Sequence, residues 1–276
     1  MKTALLQLSV TDDPAENLSV TVPMIREAAA AGAGFILTPE VTNCLSSDRA
    51  HQNAVLRPEA EDATLAALRA EAVRAHVWVL IGSLALKTRD PDGRFANRSF
   101  MIAPDGKIVA RYDKIHMFDV NVSETETYRE SAGYRPGETA VLAETPFARV
   151  GMSICYDVRF PLLYRHLARE GANCLTIPAA FNDTTGAAHW HPLLRARAIE
   201  NTSYVLAPAQ TGTHAMHDGR PRRTYGHSLA VSPWGEVLLD MGEGVGIGHV
   251  ELRRSEVDKA RQRVPSLTHD RDFEGP

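Results

Sequence analysis

The sequence predicts a layered α/β fold, and three observations carry the prediction. Short runs rich in Val, Ile and Leu recur along the chain without strict polar alternation, as strands covered on both faces do. Longer stretches between several of them place apolar residues at helical spacing. Two segments, Pro104-Asp105-Gly106-Lys107 and Pro233-Trp234-Gly235-Glu236, set Pro two residues ahead of Gly between strand-like runs, which is hairpin chemistry. Strands alternating with helices, with hairpins added, bury their apolar faces by packing helices on sheets.

In chain order, residues 3–10 and 34–38 read as strands, with an Ala-rich helix over 17–31 between them that stops at Gly32. Residues 60–75 form a second helix, carrying Leu65, Leu68 and Ala72 on one side. The strand over 77–86 is the longest apolar run, and 98–102 and 107–112 follow as the first hairpin. A strand over 149–154 gives way to a helix over 160–170, capped by Gly171. Then come a strand (174–178), a helix (189–201, with Leu193, Leu194 and Ile199) and a strand (203–208). Residues 227–231 and 236–240 make the second hairpin. The glycine-rich stretch 242–248 lacks GxGxxG spacing and no helical pattern follows it, so it reads as a loop. Residues 253–263 are charged and helix-compatible, and Pro265 stops them. With no low-complexity linker and no short-period repeat, residues 1–276 read as a single domain.

Composition narrows the function classes. A chain of 276 residues with 44% hydrophobic content can bury a large core. Its net charge of -4 and the lack of a long basic stretch argue against nucleic acid as a partner. The densest basic run, 220–223, is broken by Pro221 and reads as a solvated loop. The apolar run at 77–86 is too short to span a bilayer, and the N-terminus lacks a signal-peptide pattern, so no membrane partner is expected. Three cysteines, Cys44, Cys155 and Cys174, form neither a disulfide framework nor a CxxC metal pair, which fits a reducing, cytoplasmic compartment. His189 and His191 would splay apart on a helix, and with His214 and His217 they give no convergent ligand set, so no metal is expected.

Three strand ends carry candidate chemistry. Cys155 sits where the strand ending at Ile154 turns toward the helix opening at Phe160. Such a turn presents a side chain at the carboxyl edge of a sheet, and a nearby helix N-terminus would lower the thiol pKa. Glu40 follows the apolar run Phe35-Ile36-Leu37-Thr38-Pro39, where burial would raise its pKa toward neutrality for work as a general base. Lys114 follows the strand over 107–112. A free Cys is most often a small buried hydrophobe, and a lone Lys a solvated charge. A Glu, a Lys and a Cys at three strand ends together form a different pattern. Cys44 and Cys174 have weaker contexts and read as structural.

Three strings now stand side by side: Pro39-Glu40; Tyr112-Asp113-Lys114-Ile115-His116; and Ile154-Cys155-Tyr156-Asp157-Val158-Arg159-Phe160-Pro161. In order and separation they resemble the catalytic blocks of the nitrilase-like, carbon–nitrogen hydrolase superfamily. Tyr128-Arg129-Glu130-Ser131, Pro178-Ala179-Ala180-Phe181, Thr185-Gly186, Ala188-His189-Trp190-His191, the string from Leu194 to Asn201, Tyr225-Gly226-His227-Ser228 and Pro233-Trp234-Gly235 resemble its Nit subgroup. The likeness covers nearly the whole chain.

The resemblance implies a four-layer α-β-β-α sandwich that forms a homodimer or higher homo-oligomer. It implies a small-molecule amide substrate and a catalytic triad of Glu40, Lys114 and Cys155, working without a cofactor. Glu130 would support Lys114 or orient substrate, and the Tyr156 backbone N–H would face the oxyanion. Arg159 matches the family's substrate arginine, with Phe181 and Thr185 lining the pocket. The subgroup includes amidases acting on deaminated glutathione and on ω-amides of 2-oxo acids such as 2-oxoglutaramate. The 128–131 string and the Pro-Ala-Ala-Phe block are closer to the former. The expected reaction passes through an acyl-thioester with release of ammonia. The same triad also serves N-carbamoyl amino acid hydrolysis and nitrilase chemistry. A silent binding scaffold is the non-enzyme alternative, although such relatives usually lose a triad member.

Overall fold

The computed structural model describes residues 1–124, 126–215 and 222–275. Two six-stranded sheets face each other. The first begins with β1 (Lys2–Gln7), α1 (Pro14–Ala30) and β2 (Phe35–Leu37), then α2 (Arg49–Val55) and α3 (Ala63–Ala75). It continues with β3 (Trp78–Leu86), β4 (Ala96–Ile102) and β5 (Ile108–Asp113). A small hairpin, β6 (Asp119–Asn121) and β7 (Thr127–Arg129), stands apart. The second sheet takes β8 (Val141–Glu144), β9 (Arg149–Met152), α4 (Pro161–Arg169), β10 (Cys174–Thr176), α5 (Asp183–Asn201) and β11 (Tyr204–Ala207). A second small hairpin, β12 (Thr211–His214) and β13 (Arg222–Tyr225), precedes β14 (Leu229–Val231) and β15 (Val237–Asp240). The chain then returns to the first sheet as β16 (Gly246–Glu251), followed by α6 (Arg254–Arg263) and a 3₁₀ turn (Ser266–Thr268).

The strand orders are β16-β1-β2-β3-β4-β5 and β15-β14-β11-β10-β9-β8. At the heart of each sheet three strands run parallel: β1, β2 and β3 in one, β9, β10 and β11 in the other. Burial sorts the layers. On β1, Ala4 and Leu6 pack with Ile25 and Ala28 of α1 and Leu65 and Leu68 of α3. Leu5 points the other way, into a cluster with Met152, Leu206 and Leu194. Val150 and Met152 share that cluster with Tyr164 of α4 and Trp190 of α5. The result is the four-layer α-β-β-α sandwich that the resemblance implies. Residues buried on both faces explain why the central strands read as unbroken apolar runs.

Local chemistry sets the helix ends. Asp13 caps α1, accepting from the Ala15 and Glu16 N–H groups, and Pro14 stands at its first turn. Helix α5 starts at Asp183, six residues ahead of the predicted 189, because Asn182 caps it through the Thr185 N–H. The stretch 242–248 differs from the predicted loop: from Gly246 it is β16, antiparallel to the whole of β1. A Cβ at Gly248 would lie 2.6 Å from the Leu239 side chain, so glycine allows this edge strand to pass close to β15. Both predicted hairpins form, with Gly106 at φ 78° and Gly235 at φ 89°. No described helix is long and apolar enough to cross a membrane.

Candidate active site

Three strand ends meet, two from the first sheet and one from the second. Strand β5 is two antiparallel steps from β3, so it runs parallel to β2, and both deliver their next residues to the same edge. Glu40 lies beyond β2, Lys114 directly follows β5, and Cys155 lies beyond β9.

The loop carrying Glu40 is gripped by an irregularity in β3 between Ile81 and Leu84. There the Gly82 N–H donates to Thr38 Oγ1 (3.1 Å), and Ser83 Oγ accepts from the Val41 N–H (2.8 Å). Bulges of this kind recur beside active sites because they re-aim the neighbouring chain. Val41 takes the left-handed region at φ 50°, a conformation a β-branched residue holds only when its surroundings impose it.

The Glu40 carboxylate accepts from four groups. Oε1 takes Lys114 Nζ at 2.9 Å and Asn97 Nδ2 at 2.9 Å, Oε2 takes the Ala180 N–H at 2.7 Å, and the Cys155 thiol is its fourth partner. Lys114 Nζ also donates to both oxygens of Glu130 at 2.9 Å, and Glu130 Oε2 accepts the Phe118 N–H at 2.6 Å. Gln210 Nε2 holds the Glu40 carbonyl at 2.9 Å. Sequence reasoning missed Asn97 and Gln210. Asn97 is a neutral amide inside β4 and Gln210 one just before β12, and neither carries a charge pattern that would have found it.

Cys155 opens a 3₁₀ turn (Cys155–Arg159) at φ 49°, and its N–H donates to the Pro178 carbonyl at 2.9 Å. The Tyr156 N–H makes none of the hydrogen bonds that close this turn, which run from Asp157 to Ile154 and from Phe160 to Asp157. The fully buried Asp157 holds the turn to the end of β5. Its carboxylate accepts from the Ile154 N–H (2.8 Å), the His116 N–H (3.0 Å), His116 Nδ1 (2.7 Å) and the Tyr112 hydroxyl (2.6 Å).

Two electrostatic expectations are corrected. Burial does push the Glu40 pKa up, but the Lys114 charge, with hydrogen bonds from Lys114, Ala180 and Cys155, outweighs it and leaves the pKa below the ordinary value. The Cys155 thiol is not lowered by a helix end. Burial and the negative charge of Glu40 raise it well above its usual value against the opposing pull of Lys114. Burial opposes the charge on Lys114, yet Glu130 and Glu40 hold its pKa far up. The resting site therefore holds two carboxylates, an ammonium and a neutral thiol. The Cys44 and Cys174 thiols are pushed up to about 12, both chiefly by burial.

A cavity of about 400 Å³ opens over these groups. Tyr156, Phe181, Thr185 and Glu130 lie on its wall, joined by Phe118, Tyr128 and Tyr134. Arg159 is not on the wall. Its guanidinium lies 5.8 and 5.6 Å from the Tyr156 and Phe181 rings, and one Nη is 3.3 Å from His189 Nδ1. Three arginines to which the sequence reading gave no site role do line the cavity: Arg49, Arg129 and Arg222. Arg222 corrects the reading of 220–223 as a solvated loop. Its neighbour Arg223 is the surface member, paired with Asp183 at 3.3 Å, and Arg220 and Pro221 lie outside the described residues.

Away from this cavity, His191, His227 and Asp240 bring three ligating atoms within 4.8 Å of one another, the donor set for a metal ion among the described residues. They satisfy each other through His191 Nε2–Asp240 (2.9 Å) and His227 Nδ1–Asp240 (2.8 Å). His189 and His191 do turn to different partners, as helical spacing requires. His217 lies outside the described residues.

Comparison with known proteins agrees with this layout. The carbon-nitrogen hydrolase family model matches residues 2–262. A deaminated glutathione amidase of Synechocystis sp. is 40% identical over 268 residues, covering 96% of each chain. The human omega-amidase NIT2 is 34% identical over 262 residues, 95% of this chain and 92% of that one. Among solved structures, the C. elegans NitFhit protein superposes with a TM-score of 0.88 at 34% identity over 98% of this chain, which spans 65% of that longer chain. The chain belongs to the carbon-nitrogen hydrolase family.

Proposed function

We propose that this protein is an amidase acting on deaminated glutathione, with Glu40, Lys114 and Cys155 as its catalytic triad. The observation that carries the reading is the buried Cys155 thiol bonded to Glu40, whose carboxylate is shared with Lys114. A carboxylate, a thiol and an ammonium in mutual contact support this reading, because nucleophilic catalysis needs a base, a nucleophile and a fixed positive charge around one point.

Since the resting thiol is neutral, its proton passes to Glu40 as Sγ bonds to the amide carbonyl carbon. The carbonyl oxygen takes up negative charge facing Lys114 Nζ and the Tyr156 N–H, and losing one such donor typically costs about 10²–10³ in rate. As the carbon–nitrogen bond breaks, the proton on Glu40 goes to the departing nitrogen, leaving an acyl-thioester. Glu40, again a carboxylate, takes a proton from water as it attacks, and collapse frees the acid and restores the thiol. Glu130 keeps Lys114 charged and aimed. Phe181 and Thr185 border the substrate, and Arg159 backs the Tyr156 and Phe181 rings.

Deaminated glutathione fixes the leaving group. Its scissile amide joins a 2-oxoglutaryl group to cysteinylglycine, so the dipeptide amine departs, and the ammonia expected from the sequence leaves only from a primary amide. The relatives named for deaminated glutathione support this substrate, and so does the cavity, whose volume lies in the range of roughly 300–1,000 Å³ that suits drug-sized ligands. The second reading, an ω-amidase on 2-oxoglutaramate, is favoured by the likeness to the human omega-amidase and would form the same 2-oxoglutaryl thioester. The protein would work in the cytoplasm as a homodimer or higher homo-oligomer, which light scattering tests.

The test is product analysis with purified protein. Deaminated glutathione should yield 2-oxoglutarate and cysteinylglycine, and Cys155→Ala should yield neither. Turnover of 2-oxoglutaramate alone would move the assignment to the ω-amidase, and activity surviving in Cys155→Ala would remove the triad.

A further inference from the structure

Three arginines on the cavity wall have no carboxylate partner among the described residues, but two of them are otherwise committed. Arg49 donates to the carbonyls of Gly133 (2.9 Å) and Gly93 and stacks on Phe95 at 3.8 Å. Arg129 donates to the Tyr128 carbonyl (2.7 Å), the Val120 carbonyl (3.2 Å) and Asn121 Oδ1 (2.9 Å). Arg222 differs. One Nη donates to the Ala180 carbonyl at 3.0 Å, while Nε is shut off from water with no partner among the described residues. Its guanidinium stands 5.6 Å from the Tyr128 ring. Burial pushes the Tyr128 and Tyr134 phenols up, and the Arg222 charge acts against that shift on both walls.

A guanidinium stripped of part of its water and left without an anion is costly, and so is a buried N–H without an acceptor. A ligand carboxylate in the cavity would relieve both at once, because the guanidinium fork matches a carboxylate in two parallel hydrogen bonds. The position is specific as well. Ala180 holds Glu40 through its N–H and Arg222 through its carbonyl, so the same residue anchors the base and the cation. The cation is therefore matched to a negative group near the scissile amide.

We propose that Arg222 reads the carboxylate on the acyl half of the substrate, selecting amides of short dicarboxylic acids over neutral amides. This rests on the amidase reading and deepens it, since the 2-oxoglutaryl carboxylate is common to deaminated glutathione and 2-oxoglutaramate. Arg222 is on this account a specificity residue that leaves the bond-making groups untouched. Arg159 differs in position: it is not among the residues lining the cavity, and its one side-chain hydrogen bond among the described residues goes to His189.

The test compares 2-oxoglutaramate with pentanamide, a neutral amide of equal chain length, on the wild type, Arg222→Met and Arg222→Lys. Hydrogen bonds to a charged group predict that Arg222→Met lowers the charged-to-neutral ratio of kcat/KM by roughly 10–200-fold. The loss should fall mainly on KM, and Arg222→Lys should recover part of it. An unchanged ratio in folded Arg222→Met would overturn the proposal. Isothermal titration with the product 2-oxoglutarate provides a readout that needs no turnover. Weaker binding to Arg222→Met than to the wild type is expected, and equal or absent binding in both would again overturn it. Should the wild type turn over neither deaminated glutathione nor 2-oxoglutaramate, the amidase reading falls, and this titration alone decides whether Arg222 binds carboxylates.

Discussion

At the residue scale, the site's behaviour follows from where its proton rests. Burial and the charge of Glu40 keep the Cys155 thiol neutral, so the nucleophile is not stored as a thiolate. Iodoacetamide should therefore modify Cys155 slowly near pH 7, with a rate still climbing as pH rises toward 9; a rate already level at neutral pH would contradict the neutral thiol. Glu40→Gln removes the charge that helps raise the thiol pKa while Lys114 stays. Alkylation of Cys155 should then quicken although turnover is lost, in a variant whose circular dichroism and denaturation midpoint match the wild type, because unfolding would also expose the buried thiol. Glu130→Gln takes one of two carboxylates from Lys114 but leaves Glu40 on it. We expect kcat to fall with the fold retained, and near-normal turnover would remove Glu130 from the supporting role. Lys114→Met is harsher. It leaves Glu40 and Glu130 buried without their cation, which by analogy with broken buried ion pairs costs about 3–5 kcal/mol. Denaturant titration of that variant checks the figure.

At the scale of elements, β3 decides where Glu40 stands. A Cβ placed on Gly82 would lie 2.1 Å from the Thr38 carbonyl oxygen and 2.5 Å from that of Pro39, so backbone meets backbone and nothing flexible can yield. Gly82→Ala should cost about 1–3 kcal/mol of stability as overpacking does, and shift Glu40 enough to cut kcat by up to ~10². Unaltered kcat in a folded variant would mean that the β3 irregularity does not aim the base. This element shows what the sequence could and could not reveal. The run 77–86 was legible as a strand because it is long and apolar, but nothing in Ile81-Gly82-Ser83-Leu84 announces a break in its ladder. Glu40, Lys114 and Cys155 were legible because each follows an apolar strand. Strand β16 was hidden because Gly246 and Gly248 look like loop residues, and only the close pass beside Leu239 gives Gly248 a reason. Arg222 was hidden among Arg220, Pro221 and Arg223, since which arginine of a basic run turns inward depends on the partner strand β12.

At the scale of the whole molecule, the joint between the β12–β13 hairpin and the N-terminal segment should make stability depend on pH. His214 is buried and bridges two separate parts of the chain, with Nδ1 2.7 Å from the Val10 carbonyl and Nε2 2.7 Å from Thr224 Oγ1. A carbonyl can only accept, so Nδ1 carries the hydrogen and the neutral ring accepts from Thr224 through Nε2. Burial lowers the pKa from 6.5 to about 4, the Val10 hydrogen bond pulls it back up in part, and the Arg222 charge adds to the lowering. The folded pKa lies below the unfolded one, so between these values the unfolded chain binds more protons and stability rises with pH. This contribution is whole above about pH 6.5 and is lost as pH falls toward 4. A shift of some 2.5 units at ~1.36 kcal/mol each makes the loss about 3 kcal/mol. Carboxylates such as Glu40, with its depressed pKa, lose their own contribution at lower pH, below about 4.5, and do so whatever residue stands at 214. The informative quantity is thus the stability difference between the wild type and His214→Gln, measured by denaturant titration from pH 7.5 to 4. That gap should shrink by about 3 kcal/mol over the window, because only the wild type carries the titrating ring. A gap that stays constant would mean that His214 takes up its proton in the folded state as readily as in the unfolded one, and that the joint beneath Arg222 is open to water.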